Sequence, residues 1–467
     1  MALANTSARL KAGYVPRPDS LPYRPAPHPL AIGAYRWFWF ARILAMLGQS
    51  NFVVTLGWAV YDTARMTHDM RGASLRIGLI GLAQFVPVLL LNPVAGLAAD
   101  RFDRRHVARL SVLGQMIATG SLTLAAFASF DGSPGGLGVL YAAAVAFAAS
   151  RAFYMPSMNA LGPSLVPVEV LPRAIAISAV GGRIGGIMGP VIGGYAYGLG
   201  GSWAFALTTL LLGGALLAQM AIAAPLRPVE RATGHPWINI VAGLRYVVRS
   251  RMLLGAISLD LVAVLFGGAT ALLPVFARDI LLVGPGGLGL LRAASPVGAV
   301  GTALWLTSRP ISSGVGAKLL IAVAIYGLAS TVFGLSTSLW LSLAMLGLAG
   351  AADMVSVFVR QTLVQVVTPD AMRGRVGAIS SLFITASNEL GEMESGLAAA
   401  WLGPIGAVVA GGLIATATAW LWGWIFPELR RVSRFGELSA DHAARPAAVG
   451  AAVVSGQPLN GPTGNGA

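Results

Sequence analysis

Apolar positions in this chain fall in long blocks with few polar interruptions, recurring from about residue 37 to about residue 426. Each block is long enough, at roughly 20 residues, to cross the hydrocarbon of a bilayer. Backbone groups in hydrocarbon must pair within their own segment, so each block is read as a helix. The pattern predicts twelve, at about 40–62, 75–98, 107–129, 138–160, 173–196, 201–224, 252–277, 287–307, 317–335, 339–363, 375–400 and 404–426. The expected organisation is a tail (1–36), six helices (37–224), a basic connection (225–251), six more helices (252–426) and a second tail (427–467). Both tails are expected to be disordered. The first is proline-rich, with no apolar core that would make it a signal peptide, and the second is mostly of low complexity.

Composition agrees with this pattern. Of 467 residues, 56% are hydrophobic and 11% charged, against about 25% charged in soluble domains. The fold class expected is an all-α membrane protein in two six-helix bundles. The formal charge of +14 is almost entirely arginine. Because the arginines stand between apolar runs, they are read as topology signals and not as a nucleic-acid surface. There is no cysteine, and the five histidines fall in tails or loops. Thiolate metal sites, haem ligation and intramembrane histidine relays are therefore not expected, and neither a metal nor a cofactor is foreseen.

Arginines also orient the chain. Arg101, Arg104, Arg105, Arg173, Arg227, Arg231, Arg245, Arg249, Arg251, Arg373 and Arg375 fall in loops of one parity, with Arg430, Arg431 and Arg434 after the last helix. The positive side is cytoplasmic, so both termini are expected inside, in a multi-pass cytoplasmic (inner) membrane protein. One outer loop breaks the rule, with Arg65, Arg71 and Arg76 against Asp62 and Asp69. Trp203, Trp340 and Trp401 fall at the expected outer boundary.

The two halves carry a trace of duplication. Pro167 to Ser178 aligns without a gap over Pro369 to Ser380, placing Arg173 over Arg375, and the register continues to Gly189 over Gly391 and Gly194 over Gly396.

Three groups of residues carry candidate chemistry. Gly96, Asp100, Arg101, Arg104 and Arg105 lie between the second and third helices. Glycine there would permit close helix approach, and the charges could form a latch that makes and breaks. Gly185, Gly189, Pro190, Gly193 and Gly194 give the fifth helix a smooth face for close packing and a kink. The eleventh helix carries Glu389, Glu392 and Glu394 in an otherwise apolar run, Glu389 about 20 Å along its axis. An ionised carboxylate at that depth costs roughly 2.5–3.5 kcal/mol on insertion scales. Glu389 and Glu392 share a face beside Asn388, where two carboxylates could hold one proton. Glu394 points elsewhere. Arg151 and Arg183 offer counter-charges, Asp353 and Arg360 share one stripe of the tenth helix, and Asp260 sits in the seventh.

The run from Gly96 to Arg105 resembles the loop pattern G-x-x-x-D-R-x-G-R-R of the major facilitator superfamily, with Asp103 where that pattern has glycine. ALLPVFARDI (271–280), TLVQVVTPDAMRGRVGAISSLF (362–383), SNELGEMESG (387–396) and FPELRRV (426–432) are similar to its enterobactin-exporter-like branch, the transmembrane secretion effectors. Gly185 to Gly194 looks like the superfamily's antiporter motif, with Ala176 in place of one more glycine. The resemblance implies a two-bundle fold with helices one, four, seven and ten lining a central cavity. It also implies a monomer and proton-driven export of a small molecule such as a siderophore or other secreted metabolite. Drug efflux by the same fold is the alternative; a receptor or scaffold without transport is another. No phosphate loop accompanies Lys11 or Lys318, the only lysines, so a built-in ATPase is excluded. A paired-carboxylate membrane enzyme is the remaining, weakest alternative.

Overall fold

A computed structural model of the chain describes residues 28–128, 136–223 and 236–435, apart from the side chains of Asp100, 236–240 and 370–371. The expected tails therefore lie largely outside the described residues, as does the first part of the central connection. The helices are α1 Gly33–Arg65, α2 Met70–Arg101, α3 Arg104–Ala128, α4 Leu137–Ala152, α5 Tyr154–Ser164, α6 Leu171–Leu199, α7 Gly201–Met220 and α8 Pro236–Arg249. They continue as α9 Arg251–Gly267, α10 Leu273–Val275, α11 Gly284–Ser308, α12 Val315–Leu335, α13 Leu339–Val367, α14 Asp370–Ile425 and α15 Pro427–Arg431.

Two local departures adjust the expected spans, and the break expected between the eleventh and twelfth falls at Gly403. The fourth is α4 and α5 in series, broken at Phe153. Pro156, with no N–H to give, stands in the first turn of α5, where donors have no helical acceptor anyway. The seventh runs from α9 through a 3₁₀ turn (Ala269–Leu272), α10 and a π turn (Phe276–Ile280). In α14, Gly403 takes φ 75° and ψ 162° just before Pro404, a conformation open essentially to glycine. The chain turns back there, so α14 supplies the eleventh and twelfth spans. α8 is too short to cross and packs beside α14, with Gly243 against the Arg375 carbonyl.

Alternate helix ends define two ends of the bundle, named here by the connections found at each, α1–α2 and α2–α3. Trp203, Trp340 and Trp401 are all exposed at the α1–α2 end. The described arginines of the expected inner loops lie at the α2–α3 end.

Glycine contacts fix how the two halves meet. Gly189 of α6 lies against α1, where an added Cβ would stand 2.7 Å from the Ser50 Cβ. Gly391 lies against the Leu265 carbonyl of α9, at 3.0 Å from such a Cβ. Gly194 meets Pro285 and Gly289 of α11, and Gly396 meets Gly78 of α2. The aligned glycines of the two halves thus make equivalent contacts, the first pair within its own half and the second across to the other. This is the pseudo-symmetry the repeat predicts.

Between the halves the apolar core is concentrated toward the α1–α2 end. Val54, Trp58 and Tyr61 of α1 and Ile77 of α2 form one buried cluster with Leu272, Phe276, Leu288 and Ala399. The other clusters of the described residues stay within one half, such as Phe52 with Phe147 and Phe205, or Leu259 with Val359 and Leu363. Toward the α2–α3 end, a Cβ at Gly96, Gly374 or Gly377 would meet nothing within 4 Å. Among the described residues nothing packs on α2 at Gly96, the place of the expected close helix approach.

Candidate transport site

At mid-depth one ion pair joins the halves. Arg151, near the end of α4, places Nη2 3.1 Å from Oε1 of Glu389 on α14, and both side chains are mostly sheltered. The contact depends on the crossing beside it. Gly81 of α2 has no side chain, so α14 approaches until the Glu392 Cβ would be 2.7 Å from a Cβ at that position. A larger residue at position 81 would push Glu389 away from Arg151.

One turn further along α14, Glu392 faces a different space. A cavity of about 160 Å³ lies within the second half, where α9 stops at Gly267. Asp353, Asn388, Glu392, Tyr326, Ser295 and Thr270 are among its lining residues. That volume is enough for about five waters. The Tyr326 hydroxyl donates to the Gly267 carbonyl (3.1 Å), and Ser395 Oγ donates to the Gly268 carbonyl (2.8 Å), so both satisfy backbone freed by the helix break. Neither Asp353 nor Glu392 has an ion pair within 4 Å among the described residues. The two carboxylates therefore need water, a proton or a ligand.

Other predicted residues are placed as follows. Asp260 and Arg360 form a buried ion pair at 3.2 Å, and Arg360 also donates to Ser380 Oγ at 3.3 Å. Arg360 thus turns to α9, and Asp353, two turns away on the same stripe, is left to the cavity. Arg183 is exposed on α6 and makes no ion pair among the described residues. Gly185, Gly189 and Gly193 pack on Met46, Ser50 and Asn51 of α1, while the Pro190 carbonyl touches Gly289. The motif is thereby a packing surface for α1 and α11.

Around the α2–α3 connection, Arg104 donates to the carbonyls of Ala99 and Ala160, both at 3.3 Å. Asp103 accepts from the Arg105 backbone N–H at 2.9 Å and pairs with its guanidinium at 2.8 Å. Aspartate in place of the pattern's glycine thus caps the start of α3. The side-chain bond from Arg105 holds the Asp103 carboxyl below its ordinary range, against the opposing effect of burial. Arg101 is exposed, and the Asp100 side chain lies outside the described residues. The described contacts of Arg104 and Arg105 stay inside the first half.

Two groups are absent from the sequence-predicted set. Arg292, not among the expected site residues, lies inside α11, which begins at Gly284. Its Nη2 lies 3.4 Å from the Thr270 carbonyl, its Nε has no hydrogen-bond partner, and its charge acts on Glu392 and Glu389. The other group, Asp62, Arg65, Arg278 and Asp279, is assembled across the halves at the α1–α2 end.

Comparison with known proteins agrees with this arrangement. Residues 25–450 match the family described as transmembrane secretion effector. The chain is 30% identical over 427 residues to the enterobactin exporter EntS of Citrobacter koseri, covering 87% of this chain and 92% of that one. It is 30% identical over 398 residues to the EntS of Escherichia coli O1:K1, covering 80% and 86%. Among solved structures, a bacterial homologue of the human lysosomal transporter Spinster shares the fold at a TM-score of 0.62 and 16% identity, over 84% of this chain and 98% of that one. A bacterial homologue of the iron transporter ferroportin does so at 0.63 and 16%, over 85% and 98%. Twelve apolar helices in the major facilitator arrangement, with an ion pair between halves at mid-depth and a match along nearly the whole chain, identify a transporter: the chain belongs to the transmembrane secretion effector family.

Proposed function

We propose that the chain is a proton-coupled exporter of a small molecule, working by alternating access in the cytoplasmic membrane with both termini inside. The observation that carries this reading is the cavity shared by Asp353, Asn388 and Glu392, one helical turn from an ion pair that ties the halves together. A carboxylate in such a place is expensive when ionised and unpaired. Taking up a proton removes that cost, and a substrate donating hydrogen bonds or carrying positive charge removes it too. Proton and substrate then compete for the same oxygens, which is the requirement for exchanging one against the other.

Orientation rests on the arginine-rich α2–α3 end being cytoplasmic. The apolar seam at the opposite end then makes this a form open to the inside, with the halves 37–224 and 252–426 moving as units. Arg151 and Glu389 must part for those units to separate, and a proton on Glu389 would remove the charge that holds them. The curated relatives are named as enterobactin exporters, which supports a siderophore or another secreted metabolite as the cargo, exported by a monomer. The two carboxylates lining the cavity also suit a lipophilic cation, so drug efflux is the second reading.

The test is proton flux in proteoliposomes containing the purified protein, with candidate substrates added on one side. Substrate-driven flux that is lost in Glu392→Gln and Asp353→Asn, while both variants insert normally, supports the proposal. Flux and pH dependence equal to wild type in both variants would overturn it.

A further inference from the structure

The α1–α2 end holds four charges that the transport site does not use. Asp62 and Arg65 stand one turn apart near the end of α1, and Arg278 and Asp279 are neighbours in the π turn that ends the seventh span. Arg278 Nη1 lies 3.0 Å from Asp62 Oδ1, and Arg65 Nε lies 3.0 Å from Asp279 Oδ2. Tyr61 adds to both pairs. Its hydroxyl donates to Asp279 Oδ2 at 2.5 Å, and its ring centroid is 5.8 Å from the Arg278 guanidinium carbon.

Charge sense matters here. α1 contributes one acid and one base, and the π turn contributes one base and one acid, so the pairs run in opposite directions. Each element is neutral in itself, and separation strands no net charge on either side. A shift of one element along the other would bring like charges together, so a single register satisfies both pairs. The side chains are sheltered without being sealed, with 14–37% of each exposed. Water can therefore replace the partners at modest cost, as a contact that must open repeatedly requires. A π turn is a local departure from regular helix that recurs at functional sites.

We propose that Asp62, Arg65, Arg278 and Asp279, with Tyr61, form a reversible outer gate whose strength sets how often the transporter opens to the outside. The inference rests on the alternating-access reading above but not on proton coupling. It also accounts for the basic residue Arg65 on the outer side, where topology rules disfavour it: the residue is retained as one arm of the gate.

The absence of cysteine from the chain makes the test direct. Cysteines introduced at Met66 and Leu282, both well exposed beside the gate, carry spin labels in the full-length protein in nanodiscs, and the distance distribution is recorded without substrate. Asp279→Asn and Arg278→Gln are each expected to raise the long-distance population about twofold to fivefold, the scale of one partly exposed ion pair. Asp62→Arg combined with Arg278→Asp keeps both pairs oppositely charged and is expected to restore the short distance. Tyr61→Phe removes a single hydroxyl and is expected to give about a twofold shift, which keeps the test decisive if a charge variant fails to insert. Unchanged distributions in the variants that insert, or a swap as open as the single variants, would overturn the gate. Loss of proton flux with this distance response intact would count against the coupling proposal alone.

Discussion

α6 and the first part of α14 descend from the same stretch of pattern and have been put to different uses. α14 starts just after Pro369, α6 follows a 3₁₀ turn that starts just after Pro167, and both carry an exposed arginine in the first turns, Arg173 and Arg375. Gly189 and Gly391 then pack on α1 and α9, and Gly194 and Gly396 cross to the opposite half. Between these shared contacts the two helices part company. Where α14 has Glu389 and Glu392, the aligned positions of α6 are Ile187 and Pro190. Glycine spacing governs how closely the helices approach in both, and the residues between the glycines decide whether the crossing is apolar or also carries acids. A duplicated architecture can thus hold its mid-helix acids on one side alone.

The comparison is broken most severely by removing the acids. Glu392→Gln is expected to lower substrate-linked proton flux at least about a hundredfold, the usual scale for losing a proton-transfer group, read in proteoliposomes. The same measurement on Ile187→Leu, at the position aligned with Glu389, should show little change. Next in size are the crossings themselves. Gly396→Val forces a side chain into Gly78, and Gly194→Val forces one into the Pro285 carbonyl. Each is expected to cost about 1–3 kcal/mol, seen as a lower Tm in detergent, and the two costs should be similar if the crossings are equivalent.

The ion pair between halves gives a comparable and more diagnostic effect. Arg151→Gln leaves Glu389 without its partner and is expected to destabilise by about 1–3 kcal/mol. Adding Glu389→Gln should recover part of that loss in a double-mutant cycle, and no recovery would mean that the pair contributes nothing. The smallest effect belongs to the α2–α3 connection. Asp103→Ala removes the cap on α3 and is expected to cost about 1 kcal/mol. Because Arg105 holds the Asp103 carboxyl low, its contribution is present above the unfolded pKa of about 4. It is lost as pH falls through the lower folded value. The stability difference between wild type and Asp103→Ala should therefore shrink in acid.

Long apolar runs and the placement of arginine were sufficient to read the spans, because lipid imposes a length and a composition on every crossing helix. The exceptions are local: the breaks at Phe153 and at the π turn depend on one proline and on the packing at a helix end. Those features also hid chemistry. Arg292 carries no motif in the sequence, and its place near Glu392 appears only once α11 is packed. Asp353 and Arg360 share one stripe in the sequence, and only the structure shows that Arg360 takes Asp260 while Asp353 lines the cavity. Four charges in two segments more than 200 residues apart, Asp62 with Arg65 and Arg278 with Asp279, read as a topological exception on one side and an ordinary span end on the other.

By itself the amino-acid sequence determined a twelve-span, all-α membrane architecture with acids inside its eleventh helix, since periodicity, hydropathy and charge bias are local properties of the chain. That the protein is a transporter followed from its family resemblance. Which acid meets Arg151, which faces a cavity and which end of the molecule is sealed were decided only in the tertiary structure. A partner for a buried charge is chosen by the register of two helices brought together from opposite halves. That register is set by glycines whose contacts lie far away in sequence.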